Sequence, residues 1–96
     1  MEILVTYDVS TETPAGKRRL RRVALACAGF GQRVQKSVFE CSVNDMQYEE
    51  LREKLLDMID EKEDSLRFYR LREPKGEHVE HFGVRPSVDY DEPMVL

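Results

Sequence analysis

A two-layer α+β sandwich, with two helices on one face of an antiparallel sheet, is the fold that this 96-residue sequence predicts. Strand-like apolar runs and helical apolar spacings alternate along the chain in the order strand, helix, strand or strand pair, helix, strand. Turn or capping residues stand at the boundaries between these segments. The length fits one domain, since domains average roughly 150 residues. This order is that of the ferredoxin-like βαββαβ fold.

The first strand and the first helix come from the opening third of the chain. Residues 3–9 are nearly all apolar, which predicts an interior strand covered on both faces. Residues 10–16 contain a proline and a glycine and are expected to form a turn segment. From about residue 17 to residue 28 the apolar side chains recur on one helical face, and Gly29 then ends the helix.

The second half of the predicted fold contains a strand pair, a helix and a further strand. Residues 33–43 favour β structure but are long for one strand, so we expect a kink or tight hairpin near Lys36–Ser37. Asn44 and Gln47 have the spacing of a capping box at the start of a helix with one apolar and one acidic face. Residues 65–71 read as the next strand.

The end of the chain predicts a short extra strand followed by a docking segment. Val79, Phe82 and Val84 favour an edge strand, so we assign residues 1–84 to the ferredoxin-like domain. Residues 85–96 form a tail with an apolar end, which we expect to dock on its own domain or on a partner. One sheet face would stay uncovered in a monomer, and a homodimer is the natural way to bury it.

Composition excludes several classes of protein. The chain has 15 basic and 19 acidic residues and a net charge of −4, and it contains no apolar run long enough to cross a membrane. We see no signal peptide, so we expect no membrane partner and a cytoplasmic location. The two cysteines do not make a disulfide framework and are expected to be reduced, half-buried thiols.

The charges are unevenly distributed along the chain. Residues 14–38 contain seven basic residues and no acid, whereas residues 45–64 contain nine acids and three bases. These segments are either two solvated helix faces or, for the basic one, a patch that binds a polyanion by charge and shape. The candidate nucleic-acid-binding residues are Lys17, Arg18, Arg19, Arg21, Arg22 and Arg33.

Asp8 is the first candidate for chemistry, because it follows the first strand at its carboxyl end. One interpretation is a structural hydrogen bond to the backbone of the Ser10–Thr11 turn. The other is a metal ligand, since Mg²⁺ often takes only one or two carboxylates together with waters and substrate phosphates. A twofold dimer would bring two Asp8 side chains to one ion, which could polarise a phosphate or activate water.

The motifs resemble a known family. Tyr7-Asp8 at the strand end, the arginine-rich helix and the segment Gly31-Gln-Arg-Val-Gln-Lys-Ser-Val-Phe-Glu40 are together similar to the small CRISPR-associated adaptation protein of the Cas-two family. The resemblance implies a ferredoxin-like homodimer whose last strand packs on the partner's sheet. It also implies an endonuclease that acts on single-stranded RNA or double-stranded DNA, with Mg²⁺ or alternatively Mn²⁺ as its cofactor.

The resemblance also implies roles for individual residues. It makes Asp8 the catalytic and metal-binding residue, with Tyr7, Ser37 and Phe39 in support. The family further implies a role in spacer acquisition beside the CRISPR integrase, on which the tail could dock. The alternative to a nuclease is then a non-catalytic DNA-binding scaffold that bridges integrase dimers. A third hypothesis, a ferredoxin-like regulatory or toxin-type module, predicts no nucleic-acid affinity.

Overall fold

The computed structural model describes residues 1–72 and 77–83, and within them it confirms the predicted α+β sandwich. The elements are β1 (Glu2–Asp8), α1 (Pro14–Ala28), β2 (Gly31–Gln35), β3 (Val38–Ser42), α2 (Asp45–Met58) and β4 (Ser65–Leu71). The strands form one sheet in the order β2-β3-β1-β4, and every pair is antiparallel. This is the ferredoxin-like arrangement, with β1 in the interior of the sheet.

The core lies between one sheet face and the two helices. β1 contributes Ile3, Val5 and Tyr7 to it, and the helices contribute side chains such as Val23 and Leu51. The opposite face of the sheet, which we call the open face, carries half-exposed residues of β1 between the buried ones. The prediction of a strand covered on both faces is therefore wrong for the single chain, because both helices pack on the same side.

Helix α1 begins three residues earlier than the sequence predicts. The Thr13 side chain caps it by accepting a hydrogen bond from the Gly16 amide, and Pro14 occupies the first turn, where its missing N–H costs nothing. A Cβ atom at Gly16 would overlap the carbonyl oxygen of Ser10. Proline and glycine therefore serve helix initiation and close loop packing here, although both are usually turn residues.

The predicted kink and capping box are both present. Strands β2 and β3 form a hairpin around Lys36–Ser37, with a register shift between Arg33 and Gln35. The Asn44 side chain accepts from the Gln47 amide at 2.8 Å, and the Gln47 side chain accepts from the Asn44 amide at 2.9 Å. These two hydrogen bonds satisfy amides at the start of α2 that have no helical partner.

The two cysteines are free, as expected, but they are fully rather than half-buried. Burial in the core raises the pKa of the Cys27 thiol to about 12. The thiol therefore stays protonated at neutral pH and lacks the thiolate that reactive cysteines need.

The end of the chain differs in part from the prediction. Residues 77–83 contain no strand, and the side chain of Phe82 is 84% exposed. The predicted edge strand is therefore wrong for Val79 and Phe82 in the single chain. Val84 and the tail of residues 85–96 lie outside the described residues, so the docking tail stays a prediction. No helix in the described part of the chain is long and apolar enough to span a membrane.

Candidate nucleic-acid site

Asp8 is the last residue of β1, and its side chain is exposed. It lies opposite Ser65 of β4, at the end of the sheet from which the chain turns towards α1. Side chains alternate along a strand, so Asp8 is on the open face whereas its neighbour Tyr7 is on the helix face. The carboxylate is therefore accessible to a ligand that approaches the open face.

Tyr7 anchors the end of β1. Its amide donates to the carbonyl oxygen of Ser37 at 3.1 Å, and its hydroxyl donates to the carbonyl oxygen of Lys36 at 3.2 Å. Its ring stacks on Phe39 with the centroids 6.3 Å apart. Burial raises the pKa of Tyr7, although its interaction with Arg33 opposes that shift. Tyr7 and Phe39 thus fix the strand that carries Asp8 from inside the core, and Ser37 contributes through its backbone.

The chemistry of Asp8 fits a hard cation such as Mg²⁺ only as part of a shared site. In the ranges 1–72 and 77–83, no group of three or more His, Cys, Asp or Glu side chains could hold a metal ion. One chain thus offers a single exposed carboxylate at this position. Mg²⁺ tolerates this because it usually keeps several waters and binds one or two carboxylates.

Four of the predicted basic residues form an exposed stripe on the first half of α1. They recur at spacings of three and four, which places them on one face of the helix. Within the described part of the chain, none of them forms an ion pair with a carboxylate. The first turn of α1 contains no acid, so the positive end of the helix dipole adds to their charge. This basic stripe consists of Lys17, Arg18, Arg21 and Arg22.

Arg19 is not part of the basic stripe. Its Nε donates to Asp64 Oδ2 at 2.8 Å, and its Nη2 lies 3.3 Å from Glu63 Oε2. The sequence suggested that no carboxylate lies near these arginines, which is wrong for Arg19, because the turn before β4 folds back onto α1. Arg19 is therefore already neutralised within the chain.

Arg33 is also away from the surface. The residue is 7% exposed and its guanidinium carbon lies 5.3 Å from the centroid of the Phe39 ring. Its Nε and Nη2 atoms are buried and have no hydrogen-bond partner among the described residues. The side chain packs on the helix face of the sheet, because residue 33 is paired with Phe39. A direct phosphate contact by these two atoms would require the core to open.

The sequence reading passed over Asp64 and the arginines of β4. Asp64 ends an acidic run that reads as a solvated surface, yet its side chain is fully buried. β4 and the residue after it carry three exposed arginines, with Arg67 donating to the Tyr69 hydroxyl at 3.0 Å. Three arginines without an acid in residues 65–72 were the available signal for these exposed cations. They do not share one surface, because Arg67 pairs with Thr6 on the open face whereas Arg70 pairs with Ile3 on the helix face.

The chain is thus a small ferredoxin-like α+β protein with an exposed carboxylate at a strand end and a basic stripe on its first helix. The model of one family, described as CRISPR associated protein Cas2, matches residues 1–79. The chain belongs to this family, as the motifs around Tyr7-Asp8 and the β2–β3 segment indicated.

Individual relatives agree with this assignment over the whole chain. The chain is 64% identical to a protein of Moorella thermoacetica named CRISPR-associated endoribonuclease Cas2 1, over all of both chains. It is 50% identical to a protein of Halalkalibacterium halodurans named CRISPR-associated endonuclease Cas2, again over all of both. The crystal structure of Streptococcus pyogenes Cas2 at pH 6.5 matches with a TM-score of 0.77 and 54% identity, covering 86% of this chain and all of that one.

Proposed function

We propose that the protein is a metal-dependent endonuclease of CRISPR defence that hydrolyses phosphodiester bonds in single-stranded RNA or double-stranded DNA. The observation that carries the proposal is the exposed carboxylate of Asp8, held at the end of an interior strand. The names of the relatives support it, since one is called an endoribonuclease and another an endonuclease. We expect the protein to act in the cytoplasm.

Three groups of described residues have a role in this proposal. The basic stripe binds the phosphate backbone by charge, which positions the nucleic acid without reading its sequence. Asp8 is the residue that would hold Mg²⁺ or Mn²⁺. When bound, such an ion supplies Lewis-acid polarisation of the phosphate and a water of lowered pKa. Tyr7 and Phe39 keep the strand end rigid from the core.

The proposal includes a homodimer formed through the open face of the sheet. This face carries half-exposed apolar side chains such as Leu4 and Val38, together with Tyr69, which is 43% exposed. A second copy would cover them and would bring Asp8 of the partner subunit towards the same region. Two carboxylates would then be available to one ion, which the single chain does not supply.

The test is a cleavage assay with RNA and duplex DNA, with and without Mg²⁺, on the wild type and the Asp8→Asn variant. Asparagine keeps the size of the side chain but lacks the charge that attracts a cation. We expect cleavage to require the metal and to be lost in Asp8→Asn, while binding is retained. The matched control is Asp57→Asn, which removes an exposed carboxylate from α2. Undiminished, metal-independent cleavage by Asp8→Asn would refute the proposal.

A second candidate function is a non-catalytic scaffold that holds duplex DNA for the CRISPR integrase during spacer acquisition. The basic stripe favours it, because its four cations, which have no ion-pair partner among residues 1–72 and 77–83, bind a phosphate backbone without any catalytic group. The scaffold predicts DNA binding without cleavage by the wild type, and a complex with the integrase that survives in Asp8→Asn. A comparison of integration by the wild type and by Asp8→Asn separates the two functions, since only the nuclease needs Asp8.

A further inference from the structure

Asp64 joins three separate parts of the chain through one buried carboxylate. Its side chain is 0% exposed, and it lies in the turn between α2 and β4. Its oxygens accept hydrogen bonds from the loop after β1, from α1 and from the turn itself. A buried carboxylate is stable only when its oxygens are paired in this way.

Four hydrogen bonds meet at the two oxygens of Asp64. Oδ1 accepts from the Ser10 amide at 3.1 Å and from Arg19 Nη2 at 3.2 Å. Oδ2 accepts from Arg19 Nε at 2.8 Å and from the Asp60 amide at 2.9 Å. Burial by itself would raise the pKa of this carboxyl, but the hydrogen bonds from Arg19, Asp60 and Ser10 prevail and lower it. Asp64 is therefore an anion held by directed donors.

These contacts lie directly beside the strand end that carries Asp8. Ser10 follows Asp8 by two residues, and Ser65, which follows Asp64 directly, is the partner of Asp8 in the sheet. The carbonyl oxygen of Ser10 also packs so closely on Gly16 that no side chain would fit there. The loop after Asp8 is thus fixed by its amide to Asp64 and by its carbonyl group to α1.

The same carboxylate fixes the helix that carries the basic stripe. Arg19 lies between Arg18 and Arg21 in the sequence, yet its guanidinium points to Asp64 and its side chain is only 16% exposed. The paired Nε and Nη2 atoms form a fork on the carboxylate, which restrains both distance and angle. This contact therefore restrains the rotation of α1 relative to the end of β1, in addition to the packing of its buried side chains in the core.

We propose that Asp64 is a positioning residue that holds Asp8 and the basic stripe in one fixed relation. A nucleic acid bound on the stripe is thereby presented to Asp8 at a defined distance, which matters because small displacements of reacting groups cost large factors in rate. Asp64 affects the cleavage step rather than the affinity, because its side chain is buried and is not itself accessible to a bound nucleic acid. The cleavage part of this inference rests on the proposed endonuclease function, whereas the positioning part does not.

The experiment uses the isosteric variant Asp64→Asn. Asparagine replaces one acceptor oxygen with an NH₂ group, so in either orientation two of the four donors lose their acceptor. We expect hydrogen exchange at the Ser10 or the Asp60 amide to become about ten-fold faster, which corresponds to a free-energy change of about 1.4 kcal/mol. Exchange in the interior of β3 should stay as in the wild type. The matched control is Glu63→Gln, which removes only the exposed partner of Arg19.

The functional readout is the separation of binding from turnover. Under conditions in which all variants remain folded, we expect Asp64→Asn to lower kcat about ten-fold and to leave the Kd for a non-cleavable substrate within two-fold. Arg19→Lys retains the charge but not the fork, and we expect an intermediate kcat and a folded protein that serves if Asp64→Asn does not fold. Glu63→Gln should match the wild type in both constants.

The outcomes distinguish this inference from the proposed function. If the wild type does not cleave, the endonuclease proposal fails, and the exchange measurement still tests the positioning of the loop. Unchanged exchange at Ser10 and Asp60 in Asp64→Asn would overturn the positioning role. Unchanged kcat together with faster exchange would overturn its link to cleavage. An equal loss in kcat and affinity would also overturn it, because that result indicates a general loss of structure.

Discussion

Replacement of Arg33 by methionine tests whether this buried cation stabilises the fold. The guanidinium lies 5.3 Å from the Phe39 centroid, and two of its nitrogen atoms are buried without a hydrogen-bond partner among the described residues. Methionine fills a similar volume along the same path but has no donor to satisfy. We expect Arg33→Met to be at least as stable as the wild type.

The magnitude follows from the contacts of the side chain. An unsatisfied buried polar group costs about 1–3 kcal/mol, so the two nitrogen atoms together cost about 2–6 kcal/mol. The cation–π contact between Arg33 and Phe39 stabilises the folded state by about 0.5–2 kcal/mol. The difference favours methionine by between about 0 and 5.5 kcal/mol. In a domain of this size, each 1 kcal/mol shifts the Tm by about 4–8 °C.

The assay is urea unfolding of the wild type, Arg33→Met and Arg33→Lys, with Arg52→Met as the control. Arg52 is exposed on α2, so its replacement should change stability by less than about 0.5 kcal/mol. Lysine at position 33 retains a buried charge, and we expect it to be less stable than methionine there. The salt dependence of duplex binding should be the same for Arg33→Met and the wild type, because the Nε and Nη2 atoms of Arg33 are buried.

Two results would refute this reasoning about Arg33. A loss of more than about 1 kcal/mol in Arg33→Met, after correction by the control, would mean that its buried nitrogens have partners that stabilise the fold. A decrease of about 0.9 in the slope of log K against log salt would mean that Arg33 neutralises a phosphate after all. The sequence interpretation of Arg33 as a nucleic-acid-binding residue would then be correct.

Four further predictions follow from the described contacts. Glutamine at all four positions of the basic stripe should flatten the slope of log K against log salt by up to about 0.9 for each basic residue replaced, and equally for every duplex sequence. A loss of affinity for one sequence only would indicate that the protein reads bases instead. The stability that Asp64 contributes should be complete above about pH 4 and lost as the pH falls through its lowered folded pKa, so the difference in unfolding free energy between wild type and Asp64→Asn should shrink below that pH; a constant difference would contradict this. Gly31→Ala should lower stability by about 1–3 kcal/mol in urea unfolding, since its Cβ would overlap the carbonyl oxygen of Glu40 and come within 2.5 Å of Cys41 Sγ; an unchanged midpoint would show that the hairpin adjusts. The wild type should sediment as a dimer at micromolar concentration and Leu4→Lys as a folded monomer, and a monomeric wild type would rule out dimerisation through the open face.

The local features of the fold were predictable because they depend on neighbouring residues. The capping box at Asn44 and Gln47, the hairpin near Lys36–Ser37 and the strand over residues 65–71 all appear where the sequence indicates them. Hydrogen bonds between residues a few positions apart can be recognised from the order of residues, and so can periodic burial on one face. The start of α1 was missed because Pro14 and Gly16 have two common uses, and only the packing of Ser10 on Gly16 distinguishes them.

The sequence by itself determined the fold class, the family motifs, the strand-end position of Asp8 and the basic character of α1. Only the tertiary structure decided which charges are free, because that depends on residues far apart in the chain. Arg19 and Asp64 are 45 positions apart and form an ion pair, while Arg33 turns into the core against Phe39. A charged residue in a sequence is expected to be solvated, because burial of an ion is costly unless residues elsewhere in the chain pair with it. The packing of the elements therefore divides the basic segment into the exposed basic stripe, the ion-paired Arg19 and the buried Arg33.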